Sequence, residues 1–462
     1  MLIEFSVSNF ASFKDPVTFS MVGSNYLKEH EGKNEEQDLN IIESGVDKLK
    51  LLKSSVIYGA NASGKSNLLS AFAFIKKFIK SSSNESQAED KIPVIKFMLS
   101  TESDKEPSSF EIVFLYEQVR YRYGFEVDED KIHSEWLFSL GINSSSKEIL
   151  LFKRESQIIK INKRFFKEGI GLEDKTRENA LFISVVAQLN GEISNKILKW
   201  FKNLGVISGL NDSTLGYTIG KFQKDENFKN KLVNFLKLIN LGIEKIEISE
   251  IDKPNLEPLR EDAPKELKDV YVVLQDLEEK FKRIKEIKNI VVDISVLHKK
   301  FDDSDKWIND IALDFSLESE GTRKLIGLLG PIFDTLENGK ILIVDELDSR
   351  LHTLLTIEII KLFNSKNSNN KNAQLIFASH DTNLLRKEIF RRDQIWFTEK
   401  NDFGSTDLYS LVDYKESQGN KVRNDASFEK DYLIGKYGAI PYFGDINKFF
   451  NDFILEEKNE KK

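Results

Sequence analysis

Apolar and polar positions alternate from the first residues onward: Leu2, Ile3, Phe5 and Val7, then Val17 and Phe19, separated by Lys14-Asp15-Pro16. A period of two interrupted by Asp and Pro predicts two strands across residues 2–20. Residues 24–50 are polar and charged and predict a surface excursion. Ser54–Tyr58 reads as a short strand. Within Asn67–Lys80, Leu68, Leu69, Phe72, Ile75, Phe78 and Ile79 recur at helical spacing. After the Ser-rich loop Ser81-Ser82-Ser83-Asn84, the stretch 93–140 alternates again, most clearly at 110–114 and 121–125.

The pattern changes between roughly 175 and 290, where segments 193–204, 226–240 and 265–288 read as charged amphipathic helices. The last is rich in Glu and Lys. It spans only about three heptads, which favours a short helical insertion over a coiled coil. Strand patterns return at Ile290–Val296 and Ile311–Phe315. Ile341–Val344, Leu351–Phe363 and Leu375–Ala378 then read as strand, helix and strand, the βαβ rhythm of a parallel sheet covered by helices. No internal repeat of about 20–50 residues is visible, and the charged tail Glu456–Lys462 predicts a frayed end. The implied organisation is an N-terminal lobe over residues 1–175, a helical insertion over 176–290, a C-terminal lobe over 291–400 and an extension over 401–462.

Composition supports several packed lobes: 462 residues, 40% hydrophobic, with 34 Phe and only 8 Pro. A net charge of −8 weighs against a protein that mainly coats nucleic acid, while leaving room for a local basic groove. The absence of cysteine excludes disulfides, thiolate metal sites and a Cys nucleophile, and fits a reducing cytoplasm. Met1-Leu2-Ile3-Glu4-Phe5 has neither a basic start nor a long apolar stretch, so no export signal is read. The longest apolar run, Leu325–Phe333, is about half a membrane span. A soluble, cytoplasmic chain without a membrane partner is expected.

Gly59-Ala60-Asn61-Ala62-Ser63-Gly64-Lys65-Ser66 matches the phosphate-binding pattern G-x-x-x-x-G-K-[ST]. Its glycines allow a tight winding that turns N–H groups inward around a phosphate. Lys65 neutralises the β- and γ-phosphates of ATP, and Ser66 offers a hydroxyl to Mg²⁺. The candidate contacts are Gly59, Asn61, Ala62, Ser63, Gly64, Lys65, Ser66 and the following Asn67. The alternative, a merely Gly-rich turn, is disfavoured by the strand before the loop and the apolar helix after it.

Ile341-Leu342-Ile343-Val344-Asp345-Glu346 is an apolar strand ending in two carboxylates. Beside a P-loop, Asp345 is the candidate to hold magnesium through its water shell, and Glu346 to polarise the attacking water. Alone, such a strand end is commonly structural. Ser319-Glu320-Gly321 precedes another apolar helix, where a hydroxyl and free N–H groups form either an ordinary N-cap or an anion site. His380, in Ser379-His380-Asp381 after a predicted strand, can reach a γ-phosphate or simply end the strand. It is one of only five histidines.

In this order, Lys65, Ser319, Asp345-Glu346, Asp348 and His380 resemble the Walker A, signature, Walker B, D-loop and switch-histidine motifs of ABC ATPases. The long gap from Lys65 to Ser319 is similar to the helical insertion of SMC-like and RecF-like proteins, and Ser8–Lys14 resembles the corner that touches adenine in them. Asp345–His352 and Tyr437-Gly438-Ala439-Ile440-Pro441 resemble the AAA15 family of bacterial ATPases, which includes AbiL, RloA and the PARIS ATPase subunit. The signature reads Ser-Glu-Gly-Thr, not Ser-Gly-Gly-Gln, and the glutamine of the Q-loop has only Gln118 as a candidate.

The resemblance implies an ABC-type α/β ATPase head, a mixed β-sheet flanked by helices, with a helical insertion. It implies ATP and Mg²⁺ as cofactors and a head-to-tail sandwich dimer or higher homo-oligomer, in which Ser319 and Gly321 of one copy cap the γ-phosphate held by the other. Asp348 would communicate across that interface. It further implies a sensor or scaffold in bacterial anti-phage defence, acting on a separate effector such as a TOPRIM or RloB-like nuclease or a toxin. Residues 400–462 contain no Asp-x-Asp and are too few for a TOPRIM domain. Two alternatives stand beside this: a RecF-like DNA-repair ATPase, and an ATP-binding scaffold with negligible turnover. Lys160, Lys163, Arg164 and Lys167 offer either a nucleic-acid contact or a solvated face.

Overall fold

The computed structural model describes residues 1–24, 40–45, 49–85, 87, 89–141, 147–209, 213–250, 292–415, 422 and 426–442. The predicted helix at 265–288 and the tail Glu456–Lys462 lie outside them. Two compact units are distinguished, Met1–Asp212 with Pro331–Lys462, and Ser213–Gly330.

The strands are β1 (Leu2–Ser8), β2 (Val17–Ser20), β3 (Ile41–Glu43), β4 (Lys50–Leu52), β5 (Ser54–Tyr58), β6 (Ser108–Tyr116), β7 (Val119–Val127), β8 (Ile132–Gly141), β9 (Ile149–Glu155), β10 (Ile158–Ile161), β11 (Leu204–Ser208), β12 (Ile243–Glu250), β13 (Val292–Phe301), β14 (Trp307–Asp314), β15 (Ile341–Asp345), β16 (Gln374–Ala378), β17 (Ile395–Lys400) and β18 (Thr406–Ser410). The helices are α1 (Lys65–Ser81), α2 (Phe182–Gln188), α3 (Glu192–Lys202), α4 (Ser213–Lys224), α5 (Glu226–Leu238), α6 (Glu320–Asn338), α7 (Thr353–Asn364) and α8 (Phe428–Leu433).

The first unit holds two large sheets. One is antiparallel, in the order β10-β9-β8-β7-β6-β1-β2. The other runs β11-β15-β16-β5-β17-β18, parallel except for β18 at its edge. Strands β15, β16 and β5 are buried almost throughout, so they read as continuous apolar runs and not as alternations. Helix α1 contributes to the core shared by both sheets: Phe72 stacks on Phe5 of β1 with ring centroids 3.9 Å apart, and Ile341, Ile343 and Ile376 of the parallel sheet belong to the same cluster. Burying a side chain such as Phe72 contributes about 1.5–3 kcal/mol. Gln374 stitches the sheets together. Its buried amide accepts from Leu2 N at 2.6 Å and donates to Leu2 O and Leu52 O, each at 3.1 Å.

Of the stretch 24–50, read as a surface excursion, residues 25–39 and 46–48 lie outside the described residues, and only its end differs from that reading. β3 and β4 pair there, and Ile42 and Leu51 are buried, because two short apolar pairs suffice to seat a hairpin. Helix α7 begins at Thr353, two residues later than its apolar pattern suggests, since the His352 ring accepts from Leu354 N as the N-cap.

The second unit contains α4, α5 and the antiparallel sheet β12-β13-β14. The described part of the insertion therefore carries strands as well as helices. Asp225 caps α5 by accepting from Phe228 N, and Phe228, Leu232 and Leu236 are buried along one face.

Candidate nucleotide site

In the parallel sheet, β15, β16 and β5 are neighbours, so their carboxyl ends open on one edge, where ligands of open α/β sheets bind. The Gly59–Ser66 loop follows β5, Asp345 and Glu346 end β15, and Ser379-His380 follows β16. Thus three segments far apart in sequence converge because their strands are parallel and adjacent.

The loop adopts a wound conformation, with Ala62 at φ 62° and Gly64 at φ 111°. Gly64 is the N-cap of α1 and offers no side-chain cap, and the first turn carries no acidic residue. The helix thus leaves its N–H groups and positive end available to an anion. Space also demands the glycines. A Cβ at Gly59 would stand 2.5 Å from Thr398 O, and one at Gly64 2.5 Å from Thr406 Oγ1. The Lys65 ammonium donates to Gly59 O at 2.8 Å and to Ala60 O at 3.1 Å. Burial lowers its pKa, while Asp345, Glu346 and Asp348 oppose that shift.

A chain of hydroxyls braces the loop from behind. Ser63 Oγ lies 2.7 Å from Thr398 Oγ1, and Thr406 Oγ1 lies 2.8 Å from both Ser63 O and Ser12 Oγ. Asn67 donates to Ser12 Oγ at 2.7 Å, so its amide is engaged with the corner after β1. That corner is built by Asn9 and Ala11 at positive φ. Asn9 accepts from Phe97 N and donates to Ser103 O and Glu106 O. Thr398, Thr406 and Ser12 escape sequence reasoning because each is a common residue far along the chain. Once β17 is paired with β5, with Phe397 opposite Tyr58, Thr398 falls beside Gly59.

The acidic side is equally ordered. Glu346 has φ 53° and opens a turn in which Ser349 N donates to Glu346 O, while Leu347 N donates to Ala378 O. Asp348 Oδ2 accepts from His380 N at 3.2 Å. Asp345 Oδ1 and Asp348 Oδ1 are buried without a hydrogen-bond partner. Unpaired buried carboxylate oxygens are costly, and a cation or donor at this edge would satisfy them. The His380 pKa is lowered by burial and then by Lys65, with Asp348, Glu346 and Asp345 acting the other way. Lys65, the three carboxylates and His380 therefore share one electrostatic environment. Gly209, after β11, was not singled out by any motif. Its N–H donates to Asp345 O at 2.6 Å, and a Cβ there would lie 2.3 Å from Glu346 O.

Among the described residues no group of three or more His, Asp or Glu side chains could hold a metal ion on its own. The Ser66 hydroxyl at the end of the loop and the unpartnered Asp345 Oδ1 at the end of β15 are oxygen donors of the kind that would hold magnesium beside a bound phosphate. Gln118 lies at the exposed β6–β7 hairpin tip, with φ 65°, in the antiparallel sheet.

Ser319 and Gly321 belong to the second unit. Ser319 is exposed at the start of α6, where its Oγ accepts from Thr322 N at 3.1 Å and lies 2.9 Å from Thr322 Oγ1. Nearby, the His298 ring meets Glu318 at 2.6 Å. The Tyr437–Pro441 turn is held by tyrosines: Tyr409 donates to Tyr437 O at 2.8 Å and Tyr432 to Ala439 O at 3.0 Å. Tyr432 also packs on Tyr58, whose hydroxyl donates to Asp381 O at 2.9 Å. Lys160, Lys163, Arg164 and Lys167 are solvent-exposed. Among the described residues no helix is long and apolar enough to cross a membrane.

A P-loop between a buried parallel strand and an uncapped helix, faced by a strand-end Asp-Glu pair, defines a P-loop ATPase of mixed α/β fold. The family model described as "AAA domain, putative AbiEii toxin, Type IV TA system" matches residues 54–386, and the chain belongs to that family. Solved structures of the recombination mediator protein RecF in the RecFOR pathway are also similar. The RecF-ATPrS structure has 16% identity and a TM-score of 0.32 over 88% of this chain and 98% of that one. The RecF-ATP structure has 15% identity and the same TM-score over 88% and 97%. At this similarity neither lends its function to this chain. No curated protein matches the sequence.

Proposed function

We propose that the protein hydrolyses ATP as one half of a two-site sandwich and uses the cycle as a switch. The observation that carries the reading is the pair of buried, unpartnered oxygens, Asp345 Oδ1 and Asp348 Oδ1, in the electrostatic environment of Lys65. In this reading the N–H groups of Gly59–Ser66 and the Lys65 ammonium hold the phosphates. Ser66 and Asp345 hold magnesium, whose charge would offset that of the phosphates. Glu346 orients and polarises the attacking water, and the His380 ring, whose lowered pKa favours the neutral form, donates or accepts a hydrogen bond at the γ-phosphate.

Ser319 and Gly321 complete the site of a second copy, head to tail, so closure depends on the γ-phosphate and hydrolysis releases it. Asp348, already bonded to His380 N, links the switch histidine to the interface. The family's description, which names a putative toxin of a toxin–antitoxin system, supports a defence role; in this reading the role is exerted through a separate effector, a nuclease or a toxin.

Nucleotide binding and phosphate release test the reading together. Lys65→Ala should weaken ATP binding by more than about tenfold, and Glu346→Gln should bind ATP while releasing little phosphate. A Lys65→Ala protein with unchanged affinity would remove the loop from the site.

A further inference from the structure

Helix α6 carries a proline in its interior, Pro331. Proline has no backbone N–H, so the carbonyl four residues earlier, Gly327 O, loses its helical donor. Gly327 is buried, and an orphaned buried carbonyl costs about as much as a lost hydrogen bond. A donor arrives from another helix. The fully buried Thr218 hydroxyl of α4 meets Gly327 O at 2.6 Å, against 3.2 Å to Thr214 O in its own helix. A hydroxyl has a single proton, and the shorter contact takes it.

Two glycines permit this approach. A Cβ at Gly330 would lie 2.2 Å from Thr218 Oγ1 and 2.9 Å from Thr218 Cα, and one at Gly327 would lie 2.9 Å from Thr214 Oγ1. At Gly330 the obstruction includes backbone, so no side-chain rotation relieves it and α4 must withdraw. Thr214 and Thr218 are one turn apart on α4, and Gly327 and Gly330 are three residues apart on α6, so small residues meet small residues over one contact.

We propose that Thr218 is a positioning residue for the signature turn: its hydroxyl replaces the N–H that Pro331 removes and fixes α4 to the half of α6 that begins at Ser319. This rests on the reading of Ser319 as a phosphate-capping group. Apolar packing alone would tolerate sliding of the two helices. A directional bond to the one carbonyl freed by a proline sets their register and stiffens α6 where proline helices bend. With the bond gone, α4 slides on the half of α6 that begins at Ser319, and the signature turn loses its fixed place within the second unit.

The test is a hydrogen-bond replacement cycle in the full-length protein. Thr218→Val removes the donor at nearly constant shape, Thr218→Ser keeps it, and Pro331→Ala returns a backbone N–H to Gly327 O. Thr218→Val should lower kcat for ATP about threefold to tenfold with KM unchanged, because the P-loop is untouched. Thr218→Ser should stay near wild type, and Thr218→Val with Pro331→Ala should recover kcat. Thermal unfolding of the four corners provides a second readout: Thr218→Val should cost more beside Pro331 than beside the alanine variant.

An unchanged kcat in Thr218→Val, or a double variant no better than Thr218→Val, would overturn the proposal, as would additive losses in unfolding. Ser319→Arg in the same assay separates the two readings. If it leaves kcat intact, the capping role of Ser319 fails, while the unfolding cycle still reports on the Thr218–Gly327 bond.

Discussion

The carboxyl edge of the first unit's parallel sheet and the Ser319 turn of the second unit both present hydroxyls and helix N–H groups, yet they are built in opposite ways. At the sheet edge, Gly64 opens α1 with no side-chain cap, and buried oxygens of Asp345 and Asp348 have no partner. At the Ser319 turn the cap is made: Thr322 N already bonds Ser319 Oγ, and the serine is exposed. Polar groups left unsatisfied in the interior mark a place shaped for something other than the protein. The Ser319 cap itself is satisfied and exposed, and the unpartnered buried atom there, Arg323 Nε, is a donor one turn on and not a carboxylate oxygen, so the two regions call for different experiments. The first can be broken by single substitutions, the second only in the presence of another copy.

The largest effect is expected at Glu346. Glu346→Gln keeps the shape of the edge but removes the carboxylate proposed as the base, and phosphate release should fall by roughly a hundredfold or more in a single-turnover assay, with ATP-bound dimers accumulating in size-exclusion chromatography. Unchanged turnover would assign the water to another group. The bracing behind the loop comes next. Thr406→Val removes the hydroxyl that meets Ser63 O and Ser12 Oγ, and unfolding should show a loss of about 1–3 kcal/mol. Ser319→Arg, by contrast, should leave stability within about 0.5 kcal/mol, as exposed substitutions do. A larger loss there would mean that the cap is primarily structural.

The smallest effect is electrostatic. His380 titrates below an ordinary histidine because of burial and Lys65, while Asp348 holds it up. Asp348→Asn removes that support, so the pKa should fall further, read from the ring protons by NMR. A rise would show that Asp348 does not act on the ring in solution.

Much of this edge is legible in the chain itself. The Gly59–Ser66 pattern and the apolar run ending in Asp345-Glu346 announce their strands, and helical spacing from Leu68 to Ile79 gives α1. Local pattern suffices there because the chemistry lies within a few residues of a strand end. The bracing by Ser12, Thr398 and Thr406 is illegible, since it depends on β17 pairing with β5, and β18 with β17, across more than half the chain. Gly209 is missed for the same reason: its partner carbonyl, Asp345 O, ends a strand that follows the whole second unit. The β3–β4 hairpin escaped because two short apolar pairs inside a charged stretch carry too little periodicity to stand out. The donation from Thr218 to Gly327 was hidden too, although Pro331 announces the missing N–H on its own helix.

The central claim, that each site is completed by a second copy, is tested most directly by mixing two inactive variants. Lys65→Ala and Ser319→Arg impair opposite halves of a composite site, so each alone should release little phosphate. A mixed oligomer contains one site with both halves intact, and equimolar mixing should restore a substantial fraction of wild-type ATPase activity. A mixture as inactive as its components, with mixed oligomers shown to form, would contradict the account.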